Sequence, residues 1–116
     1  MANAFKNAGV AIGNSATTIY QVPIGVNSSV VHSIYIANID GTNAATVNIE
    51  VSTDGAGSGS FFHVAKTVQV PADSTLILDK PVNLYNTNNA SAGDLMRATA
   101  SAASRLEAFI SILEIS

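Results

Sequence analysis

The sequence contains no cysteine and no tryptophan, and it is short of charge. Without cysteine the chain forms no disulfide and offers no thiolate ligand to a metal ion. Charged residues make up 11% of the 116 residues, against about 25% in an average soluble domain. A surface built from Ser, Thr and Asn produces only a weak electrostatic field, so the repulsion between copies of the protein is weak. The composition favours a protein that associates with neighbours, although a thinly charged monomer also fits it.

Basic residues are few and scattered, and the net charge is −3 with five Lys and Arg in total. Binding to a phosphate backbone needs a clustered basic face, so we expect no nucleic-acid partner. No segment approaches the run of about 18 apolar residues that a membrane-spanning helix needs, so we expect no membrane partner. The first 15 residues lack the apolar run of a signal peptide, which predicts a protein that is not secreted through the general pathway.

Alternation of apolar and polar residues with period two dominates the chain and predicts β-strands. The clearest strand is 46–52, and the run 30–38 is apolar on both faces in its middle, which is typical of a central strand. We predict further strands at the positions 17–22, 62–70, 74–78 and 82–85. The spacing of about ten residues between strands predicts one all-β domain, an antiparallel β-sandwich of jelly-roll or immunoglobulin-like type with about 7–9 strands. We assign residues 15–116 to this sandwich and residues 1–14 to an N-terminal arm.

Residues 93–116 fit two structures. An apolar stripe fits a helix, whereas the alternation of Leu106, Ala108 and Ile110 fits a strand. No strong helix cap is present and the preceding pattern is all β, so we favour a hairpin with strands at 94–100 and 105–115.

The glycine-rich stretch DGAGSGS, residues 54–60, is the part of the chain that most resembles a chemical site. No Lys follows its last glycine, so it is not a phosphate-binding P-loop, and Asp54 is its single carboxylate, so it is not a calcium loop. We interpret it as the tip of a hairpin, where glycines supply the conformations of the connection. We found no catalytic motif, and we predict a protein that is not an enzyme, with no cofactor and no metal.

Two regions with aromatic residues are candidates for contact with a partner. In the adjacent pair Phe61 and Phe62 one ring should enter the core, which leaves the other free to anchor an interface. Tyr85 precedes the polar loop 86–92, and together with Asn88 it forms a second candidate contact region. His32 and His63 have no further ligands at a diagnostic spacing, so we interpret them as structural histidines.

The segment 16–52 combines a strand that ends in Tyr20-Gln21-Val22-Pro23, a Val/Ile-rich strand that ends in Ala37-Asn38, and the alternating strand 47–51. In this order of elements, and in its ending 93–116, the chain resembles small virion structural proteins of tailed bacteriophages, notably marine and cyanobacterial ones. The resemblance covers most of the chain and brings no catalytic motif with it. The polar insert 86–92 departs from the tighter versions of this pattern.

The resemblance implies a structural protein of the virion, assembled in the bacterial cytoplasm, whose partners are its own copies and phage capsid or tail proteins. A protein that decorates or cements the capsid surface is the leading hypothesis. A module associated with the tail, nozzle or fibre is the second, and a domain that binds host glycans is the third.

Overall fold

In the computed structural model, which describes residues 3–53, 60–86 and 93–116, the chain forms nine β-strands and no helix in these ranges. No helix that could cross a membrane occurs in the same ranges. The strands are β1 (Asn3–Ile12), β2 (Thr17–Gln21), β3 (Ser28–Asn38), β4 (Ala45–Ser52), β5 (Phe61–Val70), β6 (Thr75–Leu78), β7 (Val82–Tyr85), β8 (Leu95–Ala100) and β9 (Leu106–Ile115). The prediction of an all-β sandwich with about 7–9 strands is confirmed.

The strands form two sheets in which all pairs are antiparallel. Sheet A has the order β1-β9-β3-β6, with β7 also paired to β3, and sheet B has the order β2-β8-β4-β5. The chain is thus one long hairpin folded over on itself, because β1 pairs with β9, β2 with β8, β3 with β6 and β7, and β4 with β5. This is the strand order of a jelly roll, which decides between the two sandwich types that the sequence left open.

The two strands of the C-terminal segment are confirmed, but the prediction that they form a hairpin with each other is wrong. β8 pairs with β2 and β4 in sheet B, whereas β9 pairs with β1 and β3 in sheet A. The connection between them therefore crosses from one sheet to the other. Alternation reports which face of a strand is buried and says nothing about which strand lies beside it.

Within the range assigned to an N-terminal arm, residues 3–12 form strand β1, which pairs with β9 from Asn3 opposite Ile115 to Ile12 opposite Leu106. The division of the chain into an arm and a domain stays a prediction. The glycine-rich stretch joins β4 to β5, which are antiparallel neighbours with Ser52 opposite Phe61, as expected for the tip of a hairpin. Residues 54–59 themselves lie outside the described residues.

The core lies between the inward faces of the two sheets. Sheet A contributes buried side chains from β3 and β9, and sheet B contributes them from β4 and β8. The fully buried examples are Val31, Ile34, Ile36, Ile110, Val47, Ile49, Met96 and Ala98. In β3 the spacing from Val31 to Ile34 is three residues, and a shift of register against β9 between Val31 and Ser33 keeps both inside. The bulge leaves His32 exposed on the surface of sheet A.

The turn between β3 and β4 carries the chain from sheet A to sheet B. The Asp40 carboxylate accepts hydrogen bonds from the backbone N–H groups of Asn43 (2.9 Å) and Thr42 (2.8 Å). These two bonds hold the pKa of Asp40 below its usual range. A lowered pKa means that this carboxylate stabilises the fold at neutral pH and that its contribution is lost on acidification.

Candidate interaction surface

Phe61 and Phe62 begin the edge strand of sheet B, and neither ring enters the core. The Arg97 guanidinium lies 3.5 Å from the centroid of the Phe61 ring, a cation–π contact on the outer face of the sheet. Phe62 stays 63% exposed. The expectation that one of the two rings is buried is wrong, because both residues lie at the end of an edge strand that carries few core side chains.

Tyr85 lies on the other sheet, at the end of β7, and its side chain is exposed. The structure therefore divides the predicted contact residues between two sheets, although they share one end of the sandwich. Ser52 pairs with both Phe61 and Leu95, and the neighbouring Asp94 accepts a hydrogen bond from the backbone N–H of Tyr85 (3.0 Å). Asn88 lies outside the described residues.

The outward side of sheet A carries five large exposed apolar side chains among neutral polar residues, and we call it the apolar face. A row of directly opposed residues crosses four strands, from Gly9 through Phe109 and Tyr35 to Ile77. The large exposed side chains of this face are Phe5 (82%), Ile77 (56%), Tyr85 (49%), Phe109 (47%) and Tyr35 (38%). Five large apolar side chains on one sheet surface form a patch of the kind that marks an interaction site.

The outward side of sheet B has the opposite character. Its strands present Glu50, Arg97 and His63, with the carboxylate 3.4 Å from Nε of Arg97 and 3.6 Å from Nε2 of His63. Thr46, Asn48 and Thr99 occupy the neighbouring positions. At the outward strand positions that the structure describes in sheet A, Glu107 is the one carboxylate and no Lys or Arg occurs. The outward side of sheet B therefore has the charged and polar character of a solvent-exposed surface, whereas that of sheet A has few charges.

A groove of about 370 Å³ crosses the apolar face at the end of β1. Small residues form its floor, namely Gly9, Ala11 and Ala37, and the side chains of Tyr35 and Phe109 are among those that line it, together with Glu107. The Phe109 ring leans over Gly9, where an added Cβ would lie 3.3 Å from Cδ1 of the ring. The groove exists because glycine and alanine leave the space that larger outward side chains would fill.

The apolar face was not predicted as a site. Its sequence signal is that β3 and β9 are apolar at both alternating sets of positions, a pattern that also arises in a strand buried on both faces. Only one face of each strand is buried here, so the second apolar set covers the outside of the sheet.

A polar cluster joins the two sheets at the other end of β1 from the groove. The Tyr20 hydroxyl of sheet B donates a hydrogen bond to Oε2 of the buried Glu114 in sheet A at 2.6 Å, and the Ser29 hydroxyl lies 2.8 Å from it. Lys6 Nζ is 3.7 Å from the other carboxylate oxygen. Because every buried side-chain N or O atom in the described ranges has a hydrogen-bond partner, this cluster acts as a structural tie between the sheets.

Removing the Tyr20 hydroxyl is expected to weaken this tie in a pH-dependent way. Burial, together with the hydrogen bond to Glu114, raises the pKa of Tyr20 above its ordinary value. We expect Tyr20→Phe to lower the free energy of unfolding by about 1–2 kcal/mol at neutral pH. Above about pH 10 the unfolded tyrosine loses its proton first, so the wild type loses stability that the variant keeps. Urea unfolding between pH 7 and pH 11 measures the difference, and a difference that stays constant would contradict the assignment.

The described residues include no group of three or more His, Cys, Asp or Glu side chains that could hold a metal ion.

No protein-family model matches the sequence, and a search of curated proteins found no similar sequence. Solved structures share the fold. A protein of the Bacillus endospore appendages, which form disulfide-linked pili, has a TM-score of 0.57 at 16% identity, over 99% of this chain and 87% of that one. The VP2 subviral particle of infectious bursal disease virus has a TM-score of 0.56 at 7% identity, over 97% of this chain and only 32% of that one. The acid-stable capsid of Helicobacter pylori bacteriophage KHP30 has a TM-score of 0.51 at 10% identity, over 100% of this chain and 89% of that one. At such identities the likeness shows the jelly-roll fold alone.

Proposed function

We propose that the protein is a non-enzymatic structural protein of a tailed-phage virion that decorates or cements the capsid surface. The observation that carries the proposal is the contrast between the apolar face of sheet A and the polar face of sheet B. The fold supports it, because the similar structures include a phage capsid and a viral particle. The low charge of the chain supports it as well, since a covered protein needs little charge to stay dispersed.

The mechanism is the burial of surface. Sheet A is four strands wide, and β1, β9 and β3 are 10, 10 and 11 residues long. At about 4.8 Å between strands and about 3.3 Å per residue, the apolar face measures about 20 Å by 30 Å, or about 600 Å². A standard protein–protein contact covers about 800 Å² on each partner, so the face together with its rim is large enough for one. Copies that bridge neighbouring capsid subunits would each add such a contact. Because the contact is repeated over the whole particle, a modest affinity of each copy is sufficient to stabilise the capsid.

A module of the tail, nozzle or fibre is the second candidate. The similarity to a pilus protein along 87% of that chain favours it, because a pilus is a linear assembly of subunits. The present chain has no cysteine, so a linear assembly of its copies would be held without disulfide links.

The experiment is to delete the gene from the phage and to complement it with variants. We expect particles without the protein to assemble and to break open at a lower temperature than wild-type particles. Phe109→Asp places a carboxylate in the middle of the apolar face and is expected to lower incorporation at least tenfold, as measured by quantitative mass spectrometry of purified particles. Thr18→Asp is the matched control, because it adds the same charge opposite Arg97 on the polar face and should leave incorporation unchanged.

Phe62→Asp, tested in the same way, asks whether the edge of sheet B also contacts the particle. Particles that keep their full heat resistance but lack tails, or fail to adsorb, would assign the protein to the tail instead of the capsid.

A further inference from the structure

Strand β1 is a long edge strand with little protection against pairing. Among the described strands it pairs only with β9, so its other edge carries free backbone groups over ten residues. Edge strands of monomeric proteins are usually interrupted by proline or charge. β1 contains no proline, and Lys6 is its single charged residue.

The large apolar side chain with the highest exposure among the described residues lies on the same strand. Phe5 is 82% exposed, and its ring stacks on that of His32 with the ring centroids 6.3 Å apart. Four residues further along β1, on the same outward side, Gly9 leaves open the groove beside Phe109. An exposed phenylalanine and an apolar groove thus lie on one strand, at a spacing that an antiparallel copy of that strand can match.

We propose that two copies of this chain pair through their β1 strands in antiparallel orientation. The pairing is centred on Asn7, which means that Asn7 of one copy lies directly opposite Asn7 of the other. In this register Phe5 of each copy lies opposite Gly9 of the other and packs against the Phe109 ring across the missing side chain. The arrangement is two-fold symmetric, so each contact is made twice. Centring on Asn7 keeps the outward residues of both strands on one side of the combined sheet.

Two criteria favour this register over its neighbours: repulsion between like charges and the size of the side chain opposite Phe5. Centring on Lys6 would place the two Lys6 side chains opposite each other, and like charges directly opposed destabilise a pair of strands. Centring on Ala8 would place Phe5 opposite Ala11, where a methyl group occupies the floor of the groove. Centring on Asn7 places Lys6 opposite Ala8 and brings the Phe5 ring to Gly9, where the Phe109 ring of the other copy is its contact. The two apolar faces then join into one continuous surface.

This inference specifies the contact between copies and requires no virion. It can therefore fail while the proposed role in a particle stands, and it can hold while that role fails.

The test combines mass measurement with disulfide trapping in the purified protein. The chain has a mass of 11.9 kDa, and light scattering coupled to size-exclusion chromatography should give twice that value. Phe5→Asp should raise the dissociation constant of the dimer about a hundredfold. Phe62→Asp is the matched control, since it replaces another exposed phenylalanine by aspartate on the edge strand of sheet B, and it should leave the dimer unchanged.

Because the chain has no cysteine, an introduced one reports the register directly. Opposed residues of antiparallel strands have Cα atoms about 4.5–5.5 Å apart, which suits a disulfide. Asn7→Cys should form a linked dimer on mild oxidation. Asn3→Cys and Ala11→Cys should form no homodimer alone but link to each other when mixed. A protein that stays monomeric at every concentration up to about 100 μM overturns the proposal. So does a dimer that survives Phe5→Asp or that leaves Asn7→Cys unlinked.

Discussion

Replacing Gly93 by alanine is expected to lower the free energy of unfolding by about 3 kcal/mol, a large loss for one methyl group. Gly93 lies in a tight crossing just before β8, where its N–H donates to the Val22 carbonyl at 2.9 Å. An added Cβ would meet the Val22 carbonyl oxygen at 2.9 Å and the Asn86 Cβ at 2.7 Å. These neighbours are backbone and the roots of side chains, so they cannot swing away and the backbone itself must move.

Chemical and thermal unfolding measure the effect, which corresponds to a fall in Tm of about 10 °C for a domain of this size. Gly41→Ala is the matched control. The nearest atoms to an added Cβ there are the Asp73 carboxylate oxygens, the closer at 3.6 Å, which is ordinary van der Waals contact. Neither glycine has a positive φ, so the comparison isolates the close approach of atoms. Equal stability of the two variants would show that the crossing is less tightly packed than described.

Asn38→Ala is expected to destabilise the domain by about 3 kcal/mol as well, through unpaired hydrogen-bonding groups. The buried Asn38 amide donates to the carbonyls of Asn43 and Val70, both at 2.9 Å, and its oxygen accepts from the N–H of Asp40 at 2.9 Å. One side chain thus joins the end of β3, the turn that follows it and the end of β5. Alanine leaves these three groups without their partner, and the Val70 carbonyl loses a hydrogen bond that is buried.

Asn83→Ala supplies the comparison, because Asn83 is an exposed residue of β7 on the outward side of sheet A. Urea midpoints of both variants and the wild type measure the difference. A loss below about 1 kcal/mol in Asn38→Ala would mean that water replaces the lost amide.

The strands could be predicted from the sequence because their alternation is local. The run 46–52 and the run 30–38 became β4 and β3 with ends shifted by two residues or fewer. Strand β1 was missed because its Asn, Ala and Gly residues have low strand propensity. Its extended conformation is stabilised by pairing with β9, which is distant in the sequence. The partition into two sheets could not be predicted, because the partners of each strand are distant in the chain.

The candidate surface was predicted only in part, for a related reason. Tyr85 lies on the apolar face as an exposed aromatic, but its neighbours there come from four other strands. Phe109 and Tyr35 are opposed residues of adjacent strands, and nothing in the spacing of 74 positions between them indicates this. An exposed apolar face becomes visible only when the order of the strands in the sheet is known.

The folded-hairpin arrangement sets the order in which contacts can form most readily. β4 and β5 are joined by the shortest connection among the paired strands, and each further pair encloses the one before, ending with Asn3 opposite Ile115. The entropy lost in closing a loop grows with its length, so pairing that spreads outward from the tip closes only a short loop at each step. By the same argument β1 docks last in folding and leaves first in unfolding. Strand β1, through which we propose that two copies pair, is thus the last strand to join the sheet.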